Sequence, residues 1–546
     1  MVKKVINKIK SNKKFHLLYL GLFVLLGSMT LGYSALSTTL FLRGEATINK
    51  PEYLVAISSI KQGTATGGAY AVTKPSLENT EGSLNTKLPS NEAGLQYTLE
   101  IKNYGKTSTV LDYVFFSQSN PNVKFKLGGI SIGDIITSGE TRNVTITIEY
   151  WDDVTAPTED TIATLFNLEF IKYESGYSNA CTLNWDGTST SEPKTRSVYD
   201  TTYYEINNAN ELAWFRNSVN NGNNKINAIL TNDICLNSKT FEQIGTNPNF
   251  FGIFDGQNRT IRDYYFYEDV NTKKDNETYA GIFYNNYGII RNTNATVNIS
   301  SNVRYNPSTG NHNIEGHIGG LVADNSGRIQ TSSVSGTINA KVRLETNCTL
   351  AKPEADYYIG GIAAKSFGTI TASFNKAKVY AKAELYRNAC NYKRSADFYM
   401  GGIVGFNEAN VTESYNTNEV QSYVESNYKN TEYYGKIGGL VGESVNSDIT
   451  TGKILNSYTY GSIIQNYDNS SDDVVMEGVL GCAVAYNEGN INNVYFDNAC
   501  PHVGYGTPAS SSDFKNPSLD VEYFLGNYFM IDRGNINNGY PILKWQ

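Results

Sequence analysis

An apolar–Gly–Gly–apolar–apolar signature returns along this chain about every 40 residues. Its second glycine, or the residue in that place, falls at Gly281, Gly320, Gly361, Gly402, Gly439 and Cys482, at intervals of 39, 41, 41, 37 and 43. Typical copies read IGGLVADNSGRI from Ile318 and IGGIAAKSFGTI from Ile359. A polar turn follows each glycine pair, then Ile or Val and a short strand-like run. One such unit cannot bury its apolar face alone, whereas a stack of units can. Glycine lets neighbouring backbones approach where a side chain would clash. Gly281, Gly319, Gly320, Gly360, Gly361, Gly401, Gly402, Gly438, Gly439 and Gly481 are therefore read as structural repeat glycines. The repeats are placed near 279–300, 318–340, 359–381, 400–422, 437–463 and 477–498. Apolar residues are expected to point inward. The turns and the variable Tyr- and Asn-rich segments between motifs are expected to point outward.

The chain outside the repeats also reads as strands. Forty tyrosines and 48 glycines favour strands and turns, so the fold class is all-β. Between 45 and 175, period-two alternation puts Leu95, Tyr97, Leu99 and Ile101 on one face, and Val144, Ile146, Ile148 and Tyr150 on another. Short strands separated by turn signals over this span predict a β-sandwich. Residues 176–202 are rich in Ser, Thr, Asn and Asp and read as a linker. Asn208 followed by Glu211 forms a capping box, with Leu212, Phe215 and Val219 on one helical face. A short helix there would cover the open end of the repeat stack.

The first sixteen residues carry six lysines and no acid, and an apolar run follows from Leu17 to Leu36. This pattern predicts a secretory signal over 1–36, with an uncleaved anchor as the alternative. The rest of the chain is then extracellular or at the cell surface, touching a membrane only through that segment if it is uncleaved. Formal net charge is −8, and the part beyond the lysines is more acidic still. Such a chain has no electrostatic reason to bind nucleic acid.

Two resemblances sharpen this reading. GYSALSTTLFLRGEATI, after the apolar run, resembles the export region of camelysin/TasA-type secreted proteins of Gram-positive bacteria. IGGLVADNSGRI and IGGLVGESVNSDI resemble the GLUG motif of bacterial surface proteins. The block from ANELAWFRNSVNNG to FDGQNRTI resembles the entry module of GLUG arrays, and NNGYPILKWQ resembles their ending. The GLUG resemblance covers 203–546 and implies a right-handed parallel β-helix on an exported protein, with a C-terminal cap over 520–546. It implies an adhesin-like binding or scaffold role without catalysis. The partner would be a glycan or protein on host or neighbouring cells, or a second copy of the chain. A carbohydrate-active enzyme and a biofilm-matrix or fibre subunit are the alternatives. YAGIFYNNYGII and LGCAVAYNEGNI depart from the motif as end copies of an array do.

Catalytic and cofactor signatures are missing from this reading. There is no HExxH and no phosphate-binding loop. His312 and His317 read as surface loop histidines. No cofactor is implied. The acidic pairs Asp152-Asp153, Glu159-Asp160 and Asp472-Asp473 read as solvated turn acids, and no acid is expected to recur at one repeat position. The first two pairs are the only set that suggests calcium. Cys348 and Cys390, 42 residues apart, are candidates for a disulfide between successive loops, with free buried thiols as the alternative.

Overall fold

The computed structural model describes residues 54–78, 80–118, 120, 123–130, 134–150, 161–173, 185–198, 201–272, 276–307, 311–345, 352–386, 394–426, 431–446, 452–469, 474–502, 504–516, 520–526, 528–532 and 535–546. The expected signal over 1–36 lies outside the described residues. Among the described residues, no helix is long and apolar enough to cross a membrane. The chain is mostly β-structure, with antiparallel sheets first and parallel sheets after them.

Two antiparallel sheets occupy 55–172. One pairs Val55–Thr66 with Gly94–Asn103, that strand with Thr141–Tyr150, and the last with Val123–Gly128. The other is built on Thr161–Lys172, between Glu81–Lys87 and Thr109–Gln118. Their period-two pattern sends Leu95, Tyr97, Leu99, Ile101, Val144, Ile146 and Ile148 into one buried cluster. Leu84, Ile162, Phe166 and Leu168 of the second sheet join the same cluster. Each such aliphatic side chain contributes about 1.5–3 kcal/mol on burial. The Tyr97 hydroxyl, at the centre, reaches Thr86 Oγ1 of the other sheet at 2.9 Å.

The repeats build three sheets of parallel strands. The glycine sheet runs Glu277–Ala280, Asn311–Gly319, Lys352–Gly360, Arg394–Gly401, Thr431–Gly438 and Val474–Gly481. The short sheet runs Phe283–Asn286, Val322–Asn325, Ala363–Ser366, Val404–Asn407, Val441–Ser444 and Val484–Asn487. The long sheet takes the remaining strands of each repeat, such as Ser333–Leu344 on Phe374–Leu385. Every repeat thus adds one rung to all three, in register: Gly319 pairs with Gly360, Gly401, Gly438 and Gly481 in turn. One buried cluster runs through the rungs from Trp185 to Phe496.

Helix α1, Ala209–Asn220, buries Leu212, Phe215 and Val219 in that cluster. Asn208 Oδ1 accepts from the Glu211 amide at 3.2 Å, and Glu211 answers by accepting from the Asn207 amide at 2.6 Å. Within the stretch read as a linker, Lys194–Val198 pairs antiparallel with Thr201–Ile206, and Trp185 is buried against Phe241. Trp185 is the large apolar residue of that polar stretch, and the core takes it in.

The repeat glycines sit where backbones nearly touch. A Cβ on Gly361 would lie 2.0 Å from the Gly402 carbonyl oxygen, and one on Gly439 would lie 2.3 Å from the Cys482 carbonyl oxygen. At Cys482 this same position carries a side chain, and among the described residues no later strand joins the glycine sheet or the short sheet. The Cys482 thiol is bonded to Cys500, with 5.9 Å between Cα atoms. Spacing in the sequence did not indicate that pair. Cys235 is also disulfide-bonded, while Cys348 and Cys390 lie outside the described residues.

Candidate functional site

The strands of the glycine sheet end in an apolar residue and a glycine. The apolar residues, Ala280, Ile318, Ile359, Met400 and Ile437, are fully buried. Side chains alternate across a strand, so the preceding residue faces out. In register this gives one outward column: Tyr279, His317, Tyr358, Tyr399, Lys436 and Val479. Two residues earlier stands a second column: Glu277, Glu315, Asp356, Asp397, Tyr434 and Glu477. The short sheet supplies a third: Asn285, Asp324, Lys365, Phe406, Glu443 and Tyr486. An acid therefore does recur at one repeat position, contrary to expectation. The signal in the sequence is acid–x–aromatic–apolar–Gly, as in ETYAG, DYYIG and DFYMG, visible only when copies are aligned on the first glycine of each pair; Gly281, read above in the second place, takes the first, since Ala280 pairs with Ile318.

Across the turn between the two sheets, these columns interlock. Tyr279 stacks on Tyr284 at 4.2 Å and on the His317 ring at 4.5 Å. Tyr358 and Tyr399 stack at 4.8 Å, nearly parallel, and Phe406 meets Tyr358 edge-on at 5.8 Å. Lys365 Nζ lies 3.7 Å above the Tyr358 ring and 3.6 Å from Glu315. Lys436 pairs with Glu443 and lies 4.5 Å above the Tyr486 ring. His317 is not in a surface loop: it lies in a strand, 4% exposed, with Nδ1 2.8 Å from Asp324 and Nε2 3.2 Å from Glu315. Its two carboxylate neighbours satisfy both ring nitrogens, so a polar ring is tolerated in a buried place.

The carboxylates are not equivalent. Burial pushes Asp356 up from the ordinary range, and the Asn313 amide, donating at 2.7 Å, partly offsets this. Asp397 is pushed up to about 6, by burial first and then by Asp356 and Glu354. Its Oδ1 is buried without a hydrogen-bond partner among the described residues. Burial, followed by the neighbouring carboxylates, also raises the phenols of Tyr358 and Tyr399.

Compared with known proteins, the chain matches no family model, no curated protein sequence and no solved structure. The strip is therefore judged on its own chemistry. It offers aromatic faces, ionised and protonatable carboxyls, and two lysines, repeated at the strand spacing of about 4.8 Å. Such a surface suits an extended ligand with repeating units, through ring stacking and hydrogen bonding. Among the described residues, no three His, Cys, Asp or Glu are grouped to hold a metal ion. The acids expected to suggest calcium, Asp152, Asp153, Glu159 and Asp160, lie outside the described residues, as do Asp472 and Asp473. Of the tyrosine pairs, Tyr357 and Tyr433 are core residues, while Tyr358 and Tyr434 face out.

Proposed function

We propose that the chain is an exported bacterial surface protein that binds or scaffolds an extended ligand without transforming it. On this reading the three parallel sheets form a right-handed β-helix of GLUG type. The two antiparallel sheets form a β-sandwich beside it, behind a camelysin/TasA-like export segment. The observation that carries the reading is the in-register column Tyr279–His317–Tyr358–Tyr399, flanked by the acid column. A row of like chemistry at constant spacing matches a partner that also repeats, such as a glycan chain or an extended polypeptide. Retention of the full chain on an array of glycans and extracellular-matrix proteins, with no new sugar ends released, is the expected result. No retention on any array member sinks the reading.

A carbohydrate-active enzyme is the second reading, favoured by one pair. Asp356 and Asp397 sit on adjacent rungs, and the Asp397 carboxyl is pushed to about 6, within the range of a general acid. Release of sugar ends that Asp397→Asn abolishes would establish it. Release unchanged by that substitution, or no release, would reject this pair.

A further inference from the structure

A second surface lies one turn away, between the short and long sheets, as a groove of about 570 Å³ running across the strands. Its floor is the column Gly252, Gly288, Gly327 and Gly368, packed so closely that a Cβ on Gly327 would lie 2.1 Å from the Gly288 carbonyl oxygen. One wall holds the residues just before these glycines, Phe251, Tyr287 and Ser326, which the turn hydrogen bonds bring into one column. Ile253 and Ile289, half-buried, stand opposite the two aromatic residues, and their column runs on to Asn410. From Tyr287 to Asn410 is three rungs, about 14 Å at the usual strand spacing.

Phe251 and Tyr287 are 45% and 47% exposed, so they serve no core. Their rings stack on each other at 5.1 Å, and among the described residues no other ring meets either of them. The next residue in their column is Ser326. The face of Tyr287 turned away from Phe251 therefore looks into open space above Gly327. Phe367, one rung further, does not refill that space: it turns out of the groove and leans on Phe406 at 6.3 Å. The floor has no backbone groups to offer a peptide. The Gly288 amide donates to Asn286 Oδ1 at 3.0 Å, and the Gly327 and Gly368 amides donate to the carbonyls of Asn286 and Asn325 at 2.9 and 3.0 Å. The Gly252 and Gly288 carbonyls accept from Ile289 and Arg328 at 2.9 Å each. Arg328 is the charged residue of the lining, and its side chain is already engaged. What remains available is neutral: the Tyr287 face and hydroxyl, the Ser326 hydroxyl, and Asn410 Nδ2, since Asn410 Oδ1 already accepts from the Lys453 amide at 3.3 Å.

We infer that this groove binds an uncharged glycan, with one sugar ring against Tyr287 above Gly327 and the following sugars laid along the floor towards Asn410. A pyranose has an apolar C–H face that matches an aromatic face, and hydroxyls round its edge that match Ser326 and Asn410. The glycine floor lets a flat ring approach the backbone, where any side chain would hold it off. A strand-like peptide needs open main-chain partners, and the ladder has taken them. An acidic glycan needs a free cation, and the lining holds none. The groove volume lies in the range of sites that enclose a few rings. This inference rests on the reading of the chain as a binding protein, names the class of its ligand and places it on a surface separate from the carboxylate strip.

The test is affinity electrophoresis of the full chain in gels that hold a neutral glucan, mannan or galactan, or polygalacturonate. At least one neutral polymer should retard the wild type, and polygalacturonate should do so at least tenfold less. Tyr287→Ala should weaken the interaction about tenfold, Tyr287→Phe much less, and Tyr358→Ala in the strip not at all. Ser326→Phe places a ring where the sugar would lie and should abolish retardation. The same column carries aromatic residues at 251, 287 and 367, so the backbone accepts one at 326, and this variant decides the matter if Tyr287→Ala fails to fold. No retardation in any neutral polymer, stronger retardation in polygalacturonate, or retardation that survives Ser326→Phe overturns the inference. Retention on the glycan and matrix-protein array that the groove variants leave unchanged sinks this inference and leaves the general binding reading standing. Silence on both array and gels sinks the two together.

Discussion

Seven rungs of the long sheet bend at a residue with left-handed backbone: Asn258, Asn292, Thr331, Ala372, Glu413, Asn456 and Asn493, with φ between 45° and 59°. Asparagine tolerates that region because its short amide finds local partners; a β-branched residue does not. Thr331→Asn is therefore expected to stabilise the chain by about 1 kcal/mol, seen as a higher midpoint in thermal unfolding. Asp397 gives the second prediction at this scale. Its carboxyl ionises near 3.8 when free and near 6 in the fold. The native state thus keeps a proton that the unfolded chain gives up between those values. The penalty is absent below pH 3.8, grows as pH rises towards 6, and is complete above it. Two pH units correspond to nearly 3 kcal/mol, and partial exposure of the side chain reduces this to about 1 kcal/mol. Asp397→Asn should raise stability by that amount at pH 7.5 and leave it unchanged at pH 3.5. Equal effects at both values would show that the burial penalty is misassigned. Neither residue stands out when the sequence is read along the chain. Each becomes legible once copies are aligned, because the constraint acts between rungs about 40 residues apart.

At the scale of the element, the turns differ from expectation in direction. NSG, NYG and SFG read as polar turns facing water, yet the Asn or Ser that opens each of them is buried. Asn286, Asn325, Ser366, Asn407 and Ser444 are each 0% exposed. Asn286 donates to Asn325 Oδ1 at 2.8 Å, Asn325 to Ser366 Oγ at 3.1 Å, and Asn407 to Ser444 Oγ at 3.2 Å. The same side chains close their own turns, as when Asn286 Oδ1 accepts from the Gly288 amide at 3.0 Å. A second ladder runs on hydroxyls, from the Ser332 amide to Ser373 Oγ, from Ser373 to Ser414 and from Ser414 to Ser457. The sequence shows the small polar residues but not that the next rung satisfies them. Asn325→Ala would remove the acceptor of the Asn286 side-chain amide and the donor to Ser366 Oγ, at a cost of about 2 kcal/mol. Asn325→Ser should cost less than half of that, since serine holds the same place at 366 and 444. Chemical denaturation of the two variants reads the difference, and equal losses would mean that volume rather than hydrogen bonding decides.

Across the whole molecule, the all-β class, the period and helix α1 were readable because each rests on local patterning. The course of the C-terminal segment was not, since it depends on contacts far apart in the chain. The GLUG resemblance implies a C-terminal cap over 520–546; the described residues of that span run back along the side of the stack. Trp545 Nε1 donates to the Ala372 carbonyl at 2.8 Å across 173 residues, and its ring stacks on Phe374 at 5.4 Å. Tyr415 donates to Gln546, Tyr460 stacks on Tyr540 at 3.9 Å, and Tyr540 donates to Asp497 at 2.6 Å. The covered column, Phe374–Tyr415–Tyr458, stacks rung on rung at 4.9 and 5.0 Å. In an array of repeats each rung touches only its neighbours, so stability tends to be local and opening piecemeal. A segment that grips four successive rungs removes that independence. Native-state hydrogen exchange should therefore show the amides of 369–416 and 454–497 opening together in the full chain. In a chain ending at Ala509 they should open separately and with less protection, and the uncovered aromatic column should bind a hydrophobic dye. Trp545→Ala should fall between the two, costing about 2 kcal/mol for a half-buried indole. Identical exchange patterns in the full and shortened chains would mean that the rungs cohere without the strap, through the buried polar ladders and the stacked core alone.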